Sequence, residues 1–175
     1  MRKIIITYGL IAGAIIATLM FGIITLIKDH GLVSMAVTYL AMLVAFSFVY
    51  VGVKKYRDTE LGGVIKYGRA FMVGFGIAAI GSLIYVLAWE VYMYFTNYTF
   101  MAEYSASYIE GLRAKGTAAA EIAKAQAEMA TMTESYKNPI FRMLMTSAEI
   151  GPVGLLVSLI VAWVVRMQKG RGSAV

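Results

Sequence analysis

The stretch Phe71–Phe95, FMVGFGIAAIGSLIYVLAWEVYMYF, decides the fold, and its only charged residue is Glu90. About 20 apolar residues at ~1.5 Å rise cross the ~30 Å hydrocarbon core of a bilayer, so this run is long enough to span one. Three further runs have the same character: Ile4–Ile27, Val33–Val53 and about Phe141–Val165. Hydrophobic residues make up 60% of the 175. Soluble domains hold only about half. The expectation is an all-α protein: a four-transmembrane-helix bundle forming one membrane domain over residues 1–175. The first run is far longer than the ~7–15-residue apolar core of a signal peptide and ends in no clear cleavage site, so it reads as an uncleaved first span.

Charge placement orients the runs. Arg2 and Lys3 precede the first, Lys54, Lys55, Arg57, Lys66 and Arg69 fill the second connection, and Arg166, Lys169 and Arg171 follow the fourth. The first connection holds only Lys28, and in the third the basic residues are balanced by glutamates. The positive-inside rule then predicts a cytoplasmic (inner) membrane protein with both termini cytoplasmic. The net charge of +6 belongs to this pattern, and nucleic acid is not an expected partner.

The first connection, Lys28–Leu32, is short and forces an antiparallel pair of spans. In the second, Asp58-Thr59 reads as an N-cap ahead of Glu60, opening an interfacial turn of helix that Gly62-Gly63 weakens. The third, Thr96–Asn138, reads as an extracytoplasmic helical hairpin between spans three and four. Tyr104, Tyr108 and Leu112 mark one face of its first helix, Gly116 a stop and Thr117 the next N-cap. The second helix, about 118–136, carries a narrow seam of Ile122, Met129 and Tyr136, with Lys124 and Glu128 on its solvated side. Asn138-Pro139 reads as N-cap and first residue of the last helix.

Small residues recur four apart within the spans: Gly9, Gly13 and Ala17; Gly74, Ala78 and Ser82; Gly154, Ser158 and Ala162. This spacing lets helices approach closely, either within one bundle or between two copies of the chain. Aromatics crowd the end of span three, from Tyr85 and Trp89 to Tyr98 and Phe100, as interfacial belts do.

Glu90 and Glu149 are the acidic residues inside the runs. Glu90 lies about 28 Å along the helix from Phe71, and Glu149 about 26 Å from Arg166, so both fall near the same membrane surface. A charge at the bilayer centre costs roughly 2.5–3.5 kcal/mol, and less near an interface. Arg142 lies two turns beyond Glu149 on one face, and His30 belongs to the same side. The candidate polar or ion site is therefore Glu90, Glu149, Arg142 and His30, read either as a structural network with tyrosines or as a proton or cation site. Pro152 frees the Ala148 carbonyl beside Glu149, and with Gly151 and Gly154 predicts a kink. The candidate packing residues are Gly9, Gly13, Gly74, Gly154 and Ser158.

Two stretches resemble a known family. One is Val51-Gly52-Val53-Lys54-Lys55-Tyr56-Arg57-Asp58, followed by Leu61-Gly62-Gly63-Val64-Ile65-Lys66. The other is Tyr136-Lys137-Asn138-Pro139-Ile140-Phe141-Arg142, followed by Thr146, Glu149-Ile150, Pro152-Val153-Gly154 and Ser158. They are similar to the membrane protein family of Bacteroidota catalogued as domain of unknown function 4199. Gly151 stands where that family usually has a bulky residue. The resemblance covers nearly the whole chain and implies four spans with a helical insertion between the third and fourth. It implies no activity, cofactor or catalytic residue.

The chain has no cysteine and one histidine, which leaves no thiolate site, no His-rich metal motif and no recognisable nucleophile arrangement. The expected function is that of a non-enzymatic membrane protein without cofactor or metal. It would act through association with lipid, a protein partner or a second copy. The alternative is a small transporter or channel component with a proton or cation site at Glu90 and Glu149.

Overall fold

The computed structural model describes residues 1–26 and 32–168. Among them are six helices: α1 (Arg2–Leu26), α2 (Leu32–Glu60), α3 (Tyr67–Phe95), α4 (Phe100–Ala114), α5 (Ala119–Tyr136) and α6 (Pro139–Met167). The four long ones, α1, α2, α3 and α6, are each long and apolar enough to cross a membrane. Helix α3 packs against α1 on one side and α6 on another, α2 touches all three, and α4 packs on α5.

The apolar runs bury a contiguous core of Ile16, Met42, Phe46, Val49, Val53, Val73, Ile77, Ile150 and Val165. Their other faces carry exposed Leu10, Leu40, Leu43, Leu83, Leu87, Leu144 and Ile160. An outward leucine face is costly in water and favourable in lipid.

The small residues lie at helix crossings inside the bundle. A Cβ added at Gly9 would stand 2.6 Å from the Ile80 Cβ, and one at Gly13 would collide with Ile84. These two glycines on α1 receive the isoleucines of α3. At two further crossings a Cβ on Gly74 would lie 3.2 Å from Val49 of α2 and one on Gly154 3.2 Å from Ala78 of α3. Ser158 is fully buried and donates back to the Gly154 carbonyl at 2.7 Å, which satisfies its hydroxyl without spending a partner helix. Gly9, Gly13, Gly74 and Gly154 thus pack within the bundle.

Two local expectations are corrected. Asp58, Thr59 and Glu60 open no interfacial helix; they form the last turn of α2, which continues past its apolar run. Thr59 donates back to the Lys55 carbonyl at 2.8 Å instead of capping forward. The chain turns only at Gly62 and Gly63, at φ 63° and 95°, where the amides of Leu61 and Gly63 both donate to the Arg57 carbonyl. The second correction concerns the start of α5. Gly116, at φ 72°, ends α4 as expected, its amide donating to Arg113 and that of Thr117 to Leu112. Thr117 is thereby spent on closing α4, and Ala118, with extended backbone, stands at the N-cap without a side-chain bond.

Asn138 caps α6 as its sequence suggests, with Oδ1 accepting from the amides of Ile140 at 2.9 Å and Phe141 at 3.4 Å and Pro139 following. Lys124 and Glu128 form their i, i+4 pair at 3.9 Å on the exposed face of α5. The α5 seam is not a free surface. Ala125 is buried, and Ile122, Met129 and Tyr136 are half-buried.

Candidate functional site: an arginine-centred polar cluster

Arg142 stands in the first turn of α6, where the Asn138 cap sets the helix direction. It is 3% exposed. Its Nε donates to Glu90 Oε1 at 3.0 Å and its Nη2 to Oε2 at 2.6 Å, a two-pronged pair between α6 and α3. Nη1 donates to the carbonyls of Tyr136 at 2.9 Å and Lys137 at 3.1 Å. Those carbonyls end α5, so the guanidinium also completes the electronegative end of that helix. Its remaining face lies 4.8 Å from the Tyr98 ring.

Tyr98 reaches that position because the chain after α3 turns through two left-handed residues, Asn97 at φ 50° and Tyr98 at φ 59°. Such backbone costs about 1–2 kcal/mol per non-glycine residue. The amide of Tyr98 donating to the Met93 carbonyl at 2.9 Å and the ring over Arg142 hold it there.

An aromatic stack surrounds the cluster. Trp89 donates its indole N–H to the Tyr136 hydroxyl at 2.9 Å. Its ring stacks on Tyr92 at 5.4 Å and meets Phe100 edge-on at 4.8 Å. Phe100, Tyr104 and Tyr108 then stack along α4. Part of the expected aromatic belt is therefore a packed column joining α3 to α4, while Tyr94 and Phe95 do face outward. Burial pushes the Tyr136 phenol above its ordinary range; the Trp89 hydrogen bond and the Arg142 charge oppose that shift.

The sequence-level candidates separate here. Glu90 and Arg142 come together. Glu149 does not join their ion pair: its side chain is exposed on α6, and among the described residues it has no hydrogen-bonding or ion-pairing partner. His30 lies outside the described residues. No group of three or more His, Asp or Glu suited to a metal ion occurs among the described residues.

A second buried arginine mirrors the first at the basic end of the bundle. Arg57, 2% exposed, pairs with Asp58 at 2.7 Å and donates to the carbonyls of Val165 at 2.9 Å and Gln168 at 3.0 Å. It finishes α6 as Arg142 finishes α5. In the sequence Arg57 is one member of a basic cluster. The available signal is its register, because it continues the buried stripe of Val49 and Val53 by one more step of four.

Helices α4 and α5 flank an open cleft of about 1050 Å³, lined by Ala102, Ala106, Ile109, Ala130 and Thr133 with Glu110 and Arg113 among its charged residues.

Four apolar helices packed around an apolar core, with small residues at their crossings and a buried arginine at each end, define a multi-pass helical membrane protein. Residues 7–167 match the family described as "Protein of unknown function (DUF4199)". The chain belongs to that family. No curated protein and no solved structure matches it.

Proposed function

We propose that the protein acts by association and not by catalysis, with the α4–α5 unit as its docking element. The observation that carries this reading is the cleft between α4 and α5. Its alanines allow close backbone approach, and charged residues around them can select a partner helix. The two buried arginines support it: Arg142 holds the end of α5 against α3 and α6, a rigid mount and not a reacting centre. The positive-inside pattern favours placing this unit outside the cytoplasmic membrane. Photo-crosslinking from Thr133, which lines the cleft on α5, in native membranes should trap a protein partner, and filling the cleft with Ala106→Trp or Ala130→Trp should abolish the adduct. A chain that gives no adduct in any membrane preparation would remove the reading.

The runner-up is a transporter or channel component with a cation site at Glu90 and Glu149. Glu149 alone supports it, since Glu90 is taken by Arg142. Unchanged cation- and pH-dependent stability in Glu149→Gln would dismiss it.

A further inference from the structure

Two cations at the basic end of the bundle line one cavity and have nothing in the chain to bind. The connection from α2 to α3 borders an open-sided hollow of about 540 Å³, lined by Leu61, Val64, Lys66, Gly68 and Arg69. Among the described residues the side chains of Lys66 and Arg69 have no hydrogen-bonding or ion-pairing partner. The acidic residues nearest to them in the chain are engaged elsewhere, Asp58 with Arg57 and Glu60 with the amino group of Met1. The other two lysines of this basic stretch are engaged too. Lys54 stands 5.8 Å from the centre of the Tyr50 ring and Lys55 5.9 Å from that of Tyr8.

The walls of the hollow are held in place. The amides of Leu61 and Gly63 both donate to the carbonyl of Arg57, whose own side chain is buried. Ile65, 4% exposed, pins the middle of the connection into the core. The amides of Arg69 and Ala70 donate to the Lys66 carbonyl at 3.1 and 3.0 Å. A ligand therefore meets cations on an ordered backbone, which lowers the ordering cost of binding. Gly68 leaves room beside them, for a Cβ there would meet nothing within 4 Å.

The surroundings select the ligand. Lys66 and Arg69 lie within about 8 Å, measured along the helix, of Phe71, where the apolar run of α3 begins. The hollow therefore sits at headgroup level in a bilayer that α3 crosses. Its lining also includes half-buried Leu61 and Val64, which is 75% exposed. A free phosphate would meet the cations and leave Val64 in water. A phospholipid with net negative charge covers both, its phosphate on the cations and its apolar body on the valine.

We propose that this hollow binds the headgroup of an anionic phospholipid, with Lys66 and Arg69 on the phosphate and Leu61 and Val64 against the first acyl carbons. The site goes beyond the docking role of α4 and α5, which follow the opposite end of α3, and does not depend on it.

The test is native mass spectrometry on the full chain in detergent, titrated with phosphatidylglycerol or with phosphatidylcholine of identical acyl chains. Wild type should bind the first phosphatidylglycerol at least about tenfold more tightly. Lys66→Gln/Arg69→Gln should weaken it about thirtyfold, at roughly fivefold per cation. Lys54→Gln/Lys55→Gln removes the same charge outside the hollow and should leave the first lipid in place. Gly68→Phe keeps both cations but fills the space, and should weaken binding severalfold with thermal unfolding unchanged. Equal losses in the two double variants would reduce the effect to general surface charge and overturn the proposal. So would tight binding that survives Gly68→Phe. Inorganic phosphate, compared with chloride at matched ionic strength, should not displace the lipid; complete displacement would assign the hollow to a free anion and overturn the lipid assignment. A missing photo-adduct at Thr133 would remove the protein-docking reading and leave these measurements untouched.

Discussion

Arg142 grips Glu90 with two hydrogen bonds, at 3.0 and 2.6 Å, across the α3–α6 crossing while being only 3% exposed itself. Replacing one partner strands a buried charge, so Arg142→Met should cost about 3–5 kcal/mol. The double variant Glu90→Leu/Arg142→Met should cost less than the sum of the singles, because neither charge is then left alone. Thermal unfolding in detergent of the two singles and the double checks both points. Additive losses would mean the pair does not act as a unit.

Arg57 and Lys54 belong to one basic cluster in sequence but do different work. Arg57→Lys cannot reproduce the fork to Val165, Gln168 and Asp58, and should cost about 1–3 kcal/mol through carbonyls left short of a donor. Lys54→Ala should stay within about 0.5 kcal/mol. Denaturation in mixed micelles of rising SDS content would compare them, and equal effects would contradict the buried role of Arg57.

Gly13 and Gly151 are both mid-helix glycines, yet only the first faces a neighbour. Gly13→Ala should push α1 from Ile84 and cost about 1–3 kcal/mol. Gly151→Ala meets nothing and should be neutral or stabilising by up to about 1 kcal/mol through helix propensity. The same micelle assay separates them.

Alkaline pH should weaken the α5–α3 junction. The Tyr136 phenol is raised by burial in the folded state, so the native state holds its proton where the unfolded chain has begun to lose it. Stability from this group is complete below the ordinary phenol range near pH ~10 and falls as pH rises through the higher folded value. Tyr136→Phe should be less stable at neutral pH for want of the Trp89 bond, yet show a shallower alkaline decline. An identical alkaline slope in both proteins would exclude Tyr136 as the source.

Much of the architecture was legible because lipid imposes a simple rule on sequence. Any run of about 20 apolar residues must close its own backbone hydrogen bonds, so span number and rough limits follow from local composition. Asn138-Pro139 and Gly116 likewise act through their own few neighbours. The site was half legible. Depth counting put Glu90, Glu149 and Arg142 near one surface, but depth contains no azimuth. Arg142 and Glu149 lie on one face of α6, yet only Arg142 meets Glu90, while Glu149 turns to the bundle's edge.

By itself, then, the sequence determined the helices, their membrane-crossing character and several of their caps, because those depend on residues within a turn or two of each other. Only the tertiary structure decided which arginine is buried, which glutamate is paired and which glycines touch a neighbour. Arg57, 108 places or more from the carbonyls it caps, shows why: a guanidinium in a basic cluster and one capping α6 look alike until the helices cross. Burial and pairing are properties of that crossing, set by packing between segments far apart in the chain.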